Sequence, residues 1–241
     1  MTGRIGDIRL ACPFDPHLLA PIYAHNRRLL IPDVLLASAA TAIHDRLAGA
    51  MPWRLAYSDG TGHRIELSSE QVAAMDADAR NRLAADVATR AADGHQIFHN
   101  LLPLDARDAG DSLAALSGAL RGADFLDFVR TVTGIAALDW GDAEATAFAS
   151  GHFTTRTDGL GNDGASGGRC VGFELMFNTA WKVDWGGLLL FFDDRGQIRE
   201  GFTPTYNALA LFALPQLHAI SCVAPFTGAP RLAVRGWLRT P

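Results

Sequence analysis

The spacing of apolar residues along the chain changes near residue 136. Before that point, apolar residues recur every three or four positions, which is the period of an amphipathic helix. After it, apolar and aromatic residues form short runs separated by turn-forming residues, which is typical of strands joined by turns. The pattern predicts a helical supporting region over residues 1–135 and a β-rich core over residues 136–241, packed together as one structural domain.

The N-terminal region is expected to be mainly helical. A helical stretch begins at Asp15 and Pro16 and continues with breaks to about residue 47, with a new helix starting at Pro32, because acids and proline favour the first turn of a helix. Ser69 and Val72 suggest a further helix start with an incomplete capping box. The other predicted elements are an edge strand over 5–12, a hairpin over 52–67, helices over 70–92, 113–120 and 125–132, and a polar loop over 105–111.

The C-terminal region is expected to contain a sandwich or barrel of short strands. The predicted strands cover residues 146–155, 169–178, 187–192, 208–213, 218–223 and 231–238. The segment 159–168 holds five glycines and is predicted to be a mobile loop or a lid over the mouth of the barrel.

Composition narrows the classes of partner. The net charge is −5 and no basic cluster is long enough to follow a phosphate backbone, so we expect no nucleic-acid partner. We also expect no membrane span and no signal peptide. The three cysteines are odd in number and widely separated, which favours reduced thiols in a cytoplasmic protein.

Several motifs follow one another in the C-terminal region. They are FASGHF at 148–153, WGG at 185–187, PTYNAL at 204–209 and RLAVRGW at 231–237. His218 lies thirteen residues before Arg231. In order and spacing these motifs resemble the core of the Fe(II)/2-oxoglutarate-dependent oxygenase superfamily, in its prolyl 4-hydroxylase-like form.

This resemblance implies a mainly β fold with α-helices, in which a double-stranded β-helix, a jelly roll related to the cupins, is supported by N-terminal helices. The family uses Fe(II), held by two histidines and one carboxylate, together with 2-oxoglutarate. By resemblance, His218 is the distal metal ligand, and Arg231 binds the far carboxylate of 2-oxoglutarate, for which a planar guanidinium is suited.

The chain departs from the family at the first metal-ligand pair. A His-x-Asp pair is expected at positions 157 and 159, where this chain has Thr157 and Gly159. A shift by one residue gives Arg156 and Asp158, which keeps a carboxylate, although the spacing favours the unshifted register. Asp158 is therefore the second predicted metal ligand and Arg156 a second predicted cofactor-binding residue. The missing imidazole argues against firm binding of iron, and an inward Arg156 would repel it.

Other histidines are weaker candidates. His152 could replace the missing ligand, but it lies roughly 13 Å along the strand from the expected position. His95 and His99 are four residues apart and would share a face of a helix, but no third ligand accompanies them. We therefore predict no metal site at that pair.

Three functions remain open at this stage. The first is an enzyme, a 2-oxoglutarate-dependent dioxygenase that hydroxylates a small molecule or a peptidyl side chain. The second is a metal-free member of the fold, in which Arg156 and Arg231 bind an acidic ligand or support a non-redox step. The third is a structural partner in an assembly. The fold alone does not choose among them, because function depends on the site.

Overall fold

The computed structural model describes residues 8–104, 111–160 and 168–240. The helices are α1 Pro16–Asn26, α2 Ala37–Ala48, α3 Ser69–Ala74, α4 Ala77–Ala91, α5 Ser112–Arg121 and α6 Ala123–Thr133. The strands are β1 Arg28–Ile31, β2 Arg54–Ser58, β3 Arg64–Leu67, β4 Ile97–Pro103, β5 Asp139–Phe148, β6 Phe153–Thr157, β7 Arg169–Met176, β8 Leu189–Phe192, β9 Ile198–Phe202, β10 Ala208–Ala213, β11 His218–Ile220 and β12 Arg231–Arg239. No helix in these ranges has the length and apolar character needed to span a bilayer.

The described strands form one antiparallel sheet that curls into a barrel. Along the sheet the order is β1-β10-β7-β12-β5-β4-β6-β11-β8-β9, and the hairpin β2-β3 pairs with β4. Strands β5, β7, β10 and β12 form one half of the core, and β6, β8, β9 and β11 form the other. Because the chain passes back and forth between the two halves, the topology is that of a double-stranded β-helix, and the predicted jelly-roll core with supporting helices is confirmed.

The two faces of the central strands bury different groups. On β7, Phe173 and Leu175 belong to the core beneath the helices, whereas Met176 belongs to the apolar cluster inside the barrel. Successive side chains of a strand point to opposite faces, so Glu174 also faces the barrel interior. The same alternation on β12 directs Arg231 and Arg235 into the barrel, where a charged group requires a partner.

A salt bridge joins the two ends of the strand order. Arg28 on β1 donates from Nε to a carboxylate oxygen of Glu200 on β9 at 2.5 Å, and its guanidinium lies over the ring of Phe191 at 5.1 Å. β1 and β9, the two outermost strands of the sheet, are thus linked by side chains although no backbone hydrogen bonds pair them.

The structure corrects the prediction of a helical stretch from residue 15 to about 47. Arg27 has a left-handed φ of 61° at the end of α1, and the next residues form β1, which pairs with β10. The second helix starts at Ala37 rather than at Pro32. The link before it stays extended because the Asn207 amide exchanges two hydrogen bonds with the backbone of Leu35, at 3.0 and 2.8 Å.

Three further boundaries differ from the predictions. Strand β4 was not predicted, and the single strand expected over 146–155 is the end of β5 and the start of β6, separated by a turn in which Gly151 has a φ of 80°. The capping box is complete, but it is formed by Ser68 and Gln71, one residue earlier than expected. The polar loop over 105–111 and the glycine-rich segment 159–168 lie largely outside the described residues. Of the edge strand predicted over 5–12, residues 8–12 are described, and they form no strand but one isolated antiparallel bridge between Leu10 and Leu35.

The division of the chain at residue 135 stays a prediction. The region before it supplies all six described α-helices, but it also supplies strands β1 to β4, which join the same sheet as the C-terminal strands.

Candidate ligand site in and beside the barrel

His218 begins strand β11 and lies inside the barrel with 7% of its surface exposed. Its ring packs against Phe212, with ring centroids 4.9 Å apart, and lies near Phe191 and Trp237. Nδ1 is 2.7 Å from the Gln216 carbonyl oxygen. Because a carbonyl only accepts, Nδ1 carries the proton and Nε2 keeps its lone pair. Burial lowers the pKa of His218 to about 4, so the ring is neutral at physiological pH.

Gly159 is the residue that faces His218. Thr157 is the register partner of His218 across β6 and β11, and a Cβ placed on Gly159 would lie 3.1 Å from His218 Cε1. The geometry thus agrees with the unshifted register that the spacing favours. The same Cβ would lie 2.5 Å from Cδ2 of Leu214, so an apolar side chain occupies the space that a side chain at position 159 would enter.

Asp158 and Arg156 point out of the barrel. The register of β6 shifts between Thr154 and Thr157, and both Asp158 and Arg156 are exposed. The Asp158 carboxylate accepts a hydrogen bond from the Leu160 backbone N–H at 3.0 Å, as a turn aspartate does. The structure therefore does not bring Asp158 together with His218 or Arg156 together with Arg231, and the roles given to Asp158 and Arg156 stay predictions that this placement does not favour.

The described residues do not fit an iron site of the family type. Across residues 8–104, 111–160 and 168–240, no three His, Cys, Asp or Glu side chains lie close enough together to hold a metal ion. His152 does not fill the gap, since its ring packs on Phe98 at 4.8 Å. Its neighbour Thr154 pairs with Ile220, so His152 lies farther along the strand from His218. A single neutral imidazole is a much weaker site than two imidazoles and a carboxylate.

Arg231 lies inside the barrel, as predicted, but it already has an anion. Its side chain is fully buried, and its guanidinium forms a salt bridge with Glu174. Nε donates to the Gly187 carbonyl oxygen at 2.6 Å, and the guanidinium lies 5.6 Å from the centre of the Phe148 ring. The role of Arg231 in binding 2-oxoglutarate stays a prediction; in this arrangement its guanidinium is paired with the chain's own Glu174 carboxylate.

A second charge network, only partly buried, was missed by the predictions from sequence. Arg235 donates to Glu144 at 2.8 Å and to Nε2 of His99 at 2.8 Å, and Arg64 donates to the other oxygen of Glu144 at 2.8 Å. The His99 ring stacks on Phe148 with centroids 4.6 Å apart. The alternation of Arg231 and Arg235 on one strand face was a usable signal for the arginines, but His99 was considered only for helical spacing with His95, because β4 was not recognised.

The network fixes the ionisation of its members. Burial and the neighbouring Arg235 lower the pKa of His99 to about 3. Burial alone would raise the pKa of Glu144, but Arg235, His99 and Arg64 together hold it well below its usual range. Glu144 is thus a carboxylate and His99 a neutral imidazole that accepts from Arg235, which leaves the proton on Nδ1, a buried atom with no hydrogen-bond partner.

An open cleft of about 430 Å³ lies beside the mouth of the barrel. Its lining includes Arg156, His95 and, just after the end of α4, Asp93. Its remaining lining residues are Ala91, Ala92, Gly94, Thr155 and Phe192. Partial burial lowers the pKa of His95, so Arg156 is the cation of this cleft at neutral pH.

Comparison with known proteins agrees with this architecture. Residues 144–239 match the family model of the 2OG-Fe(II) oxygenase superfamily. Similar solved structures include a prolyl 4-hydroxylase from Pseudomonas putida (16% identity, TM-score 0.61, covering 94% of this chain and 100% of that one). Another is a prolyl hydroxylase from Trichoplax adhaerens in complex with a hypoxia inducible factor oxygen degradation domain peptide fragment. It has 15% identity and a TM-score of 0.61, and the match covers 93% of this chain and 89% of that one. A third is an oxidoreductase of the 2OG-Fe(II) oxygenase family from Burkholderia pseudomallei. It has 12% identity and a TM-score of 0.58, and the match covers 97% of this chain and 95% of that one. No curated protein matches the sequence.

Residues 144–239 match the 2OG-Fe(II) oxygenase superfamily model, and the fold is that of the prolyl 4-hydroxylase structures. At the positions where the family resemblance leads us to expect a His-x-Asp pair, the chain has Thr157 and Gly159.

Proposed function

We propose that this protein is an iron-free member of the oxygenase fold that binds a small ligand carrying a carboxylate group. The observation that supports the proposal most directly is Gly159. The position that faces His218 has no side chain, and Leu214 fills the adjoining space. A metal ion beside His218 would therefore find one imidazole and apolar carbon where the family supplies further ligands.

The cleft beside the barrel is the candidate ligand site. Its volume of about 430 Å³ is within the usual range for small-molecule sites. Arg156 can bind a carboxylate through two parallel hydrogen bonds. Asp93 follows the C-terminus of α4, where the helix dipole favours a positive group, so the cleft suits a ligand with a carboxylate at one end and an amino group at the other. A free amino acid and the end of a peptide both have this chemistry.

The iron-free assignment predicts how the protein responds to metal. Anaerobic titration with Fe(II) and 2-oxoglutarate should give no visible charge-transfer band, even at millimolar metal. Titration calorimetry with Fe(II) should show a gain of at least tenfold in affinity when Thr157→His and Gly159→Asp are combined with Leu214→Ala, because ligands and space are then restored around His218.

The matched control restores histidine in the other register. Arg156→His keeps Asp158 and should leave Fe(II) affinity unchanged, since both side chains point out of the barrel. Stoichiometric micromolar binding of Fe(II) by the unaltered chain, or turnover of 2-oxoglutarate, would show that the iron-free proposal is wrong.

The cleft predicts a separate result. Calorimetry with L-glutamate and with glutarate as probes should show saturable binding that weakens about tenfold or more in Arg156→Ala, because a hydrogen bond to a charged group contributes about 1.5–3 kcal/mol. Arg54→Ala removes an arginine that pairs with Glu66 on the β2-β3 hairpin and should leave affinity unchanged. Equal affinity of the Arg156→Ala variant and the unaltered chain would remove the cleft as the binding site.

One observation favours a second function, a 2-oxoglutarate-dependent oxygenase acting on a small molecule or a peptide. His218 donates from Nδ1 to a backbone carbonyl, which is the arrangement that orients a metal-binding imidazole. The metal titration separates the two functions, since an oxygenase must show the charge-transfer band and the consumption of 2-oxoglutarate.

A further inference from the structure

Arg231 and Glu174 form a closed ion pair in the interior of the barrel. Both side chains are almost fully removed from solvent, at 0% and 4% exposed. The guanidinium uses Nε on the Gly187 carbonyl and Nη2 on Glu174, and Nη1 is buried without a hydrogen-bond partner. A buried guanidinium needs an anion, and here the chain supplies it from the neighbouring core strand.

Glu174 is dedicated to Arg231 and is not shared with the second network. In the strand register the residue opposite Glu174 is Arg235, yet the Arg235 guanidinium hydrogen-bonds with Glu144 and His99. Arg231 and Arg235 of β12 therefore have separate carboxylates. Loss of Glu174 would remove the anion of Arg231, and Glu144 is already held by Arg235 and Arg64.

The surroundings of the pair are close-packed. A Cβ on Gly187 would lie 3.1 Å from Arg231 Cδ, 3.2 Å from Trp181 and 3.3 Å from Val223. The ring of Phe148 lies beneath the guanidinium. These contacts fix the stem of Arg231, so its guanidinium stays directed at the space that the Glu174 carboxylate occupies.

We propose that the Glu174 carboxylate is a built-in substitute for an external carboxylate at Arg231. The intact chain therefore does not bind an oxo acid at this arginine, and removal of the Glu174 carboxylate opens an anion site for a small carboxylate there. This proposal concerns only the barrel interior. It is independent of the ligand proposed for the cleft, whose carboxylate Arg156 would bind.

Chemical rescue of a truncated side chain tests the proposal. Glu174→Ala removes a CH₂–COO⁻ group, whose free counterpart is acetate. The variant should lose roughly 10 °C in melting temperature, because an uncompensated buried charge remains. Sodium acetate should restore at least half of that loss relative to sodium chloride of equal ionic strength, and it should have no such effect on the unaltered chain.

Two control variants separate a site at Arg231 from general effects of acetate. Glu174→Gln keeps the volume of the side chain and removes the charge, so it should be destabilised but not rescued. The double variant with Glu174→Ala and Arg231→Leu has neither the cation nor the carboxylate and should also show no rescue. Equal stabilisation of all variants by acetate, or no rescue of Glu174→Ala, contradicts the proposal.

A titration of the folded parent chain decides the matter if Glu174→Ala does not fold. Calorimetry with 2-oxoglutarate should give the same result for the unaltered chain and for Arg231→Gln. Binding that persists in Arg156→Ala but disappears in Arg231→Gln would overturn the built-in carboxylate. Binding that disappears only in Arg156→Ala supports it and assigns the ligand to the cleft, and the Fe(II) titrations are independent of either outcome.

Discussion

At the scale of single residues, glycines determine how closely the barrel interior can pack. Gly172 lies on β7 on the same face as Glu174, and a Cβ there would lie 2.3 to 2.9 Å from three ring atoms of Phe212. Phe212 is 3% exposed and its ring contacts His218 at 4.9 Å. The aromatic wall beside His218 therefore depends on the absence of a side chain at position 172.

We predict that Gly172→Ala lowers the free energy of unfolding by about 1–3 kcal/mol, because a methyl group is forced into a close-packed core. The expected change in melting temperature is a fall of roughly 2–10 °C, measured by thermal denaturation. Gly118→Ala is the matched control, since Gly118 is exposed within α5 and a Cβ there meets nothing within 4 Å. That change should stabilise the helix by about 0.5–1 kcal/mol. A melting temperature of Gly172→Ala that equals or exceeds that of the unaltered chain would contradict the packing argument.

Some residues of the site could be predicted from the sequence, and others could not. Arg231 and His218 were placed inside the barrel correctly, because each belongs to a motif with fixed spacing. The partners of these residues were harder to predict. Glu174 is a lone acid in an apolar strand, a pattern that signals a buried charge, but its pairing with Arg231 spans 57 residues of sequence. The contact of Leu214 with position 159 depends on a loop whose course no local pattern defines.

At the scale of elements, most strands of the C-terminal core were predicted, whereas β9 in that core and β1 and β4 before it were not. β7, β10 and β12 are apolar runs bounded by turn residues, which is a strong local signal. β1 and β4 lack such a signal, and their strand conformation comes from pairing with β10 and with β2, β5 and β6. Tertiary pairing of this kind overrides local propensity. The missed strand β4 matters for the site, because it carries His99 into the barrel.

At the scale of the whole molecule, the barrel keeps ionised groups and neutral histidines in the same interior. Burial lowers the pKa of His152 to about 4, against a hydrogen bond from its ring to the Ala147 carbonyl that would raise it. Burial and Arg235 lower the pKa of His99 to about 3. The groups that face His99 are Arg235, Glu144 and Arg64, whereas His152 packs against the Phe98 ring. Protonation of these two histidines at acid pH therefore lowers the stability of the folded state.

The direction of the resulting pH dependence follows from linkage. A histidine whose pKa is lower in the folded state binds protons less readily there than in the unfolded chain, where its pKa is about 6.5. Its contribution to stability is complete above that value and is lost as pH falls towards the folded pKa. Glu144, whose folded pKa is also lowered, adds a similar loss below the unfolded pKa of about 4.3. We thus expect stability to fall steadily from pH 6.5 to acid.

We predict that the slope of this acid destabilisation becomes shallower in His152→Gln. Glutamine can still donate to the Ala147 carbonyl but does not titrate, so the slope between pH 6 and 4.5 should decrease by up to about 1.4 kcal/mol per pH unit, the linkage of one proton. Urea denaturation at a series of pH values measures the slope. At pH 8 the histidine is neutral in both states, so the difference in stability between His152→Gln and the unaltered chain at that pH gives the effect of the substitution on packing alone. If the two curves stay parallel from pH 8 to 4.5, His152 is not held neutral by the fold, and the acid sensitivity must arise elsewhere in the barrel.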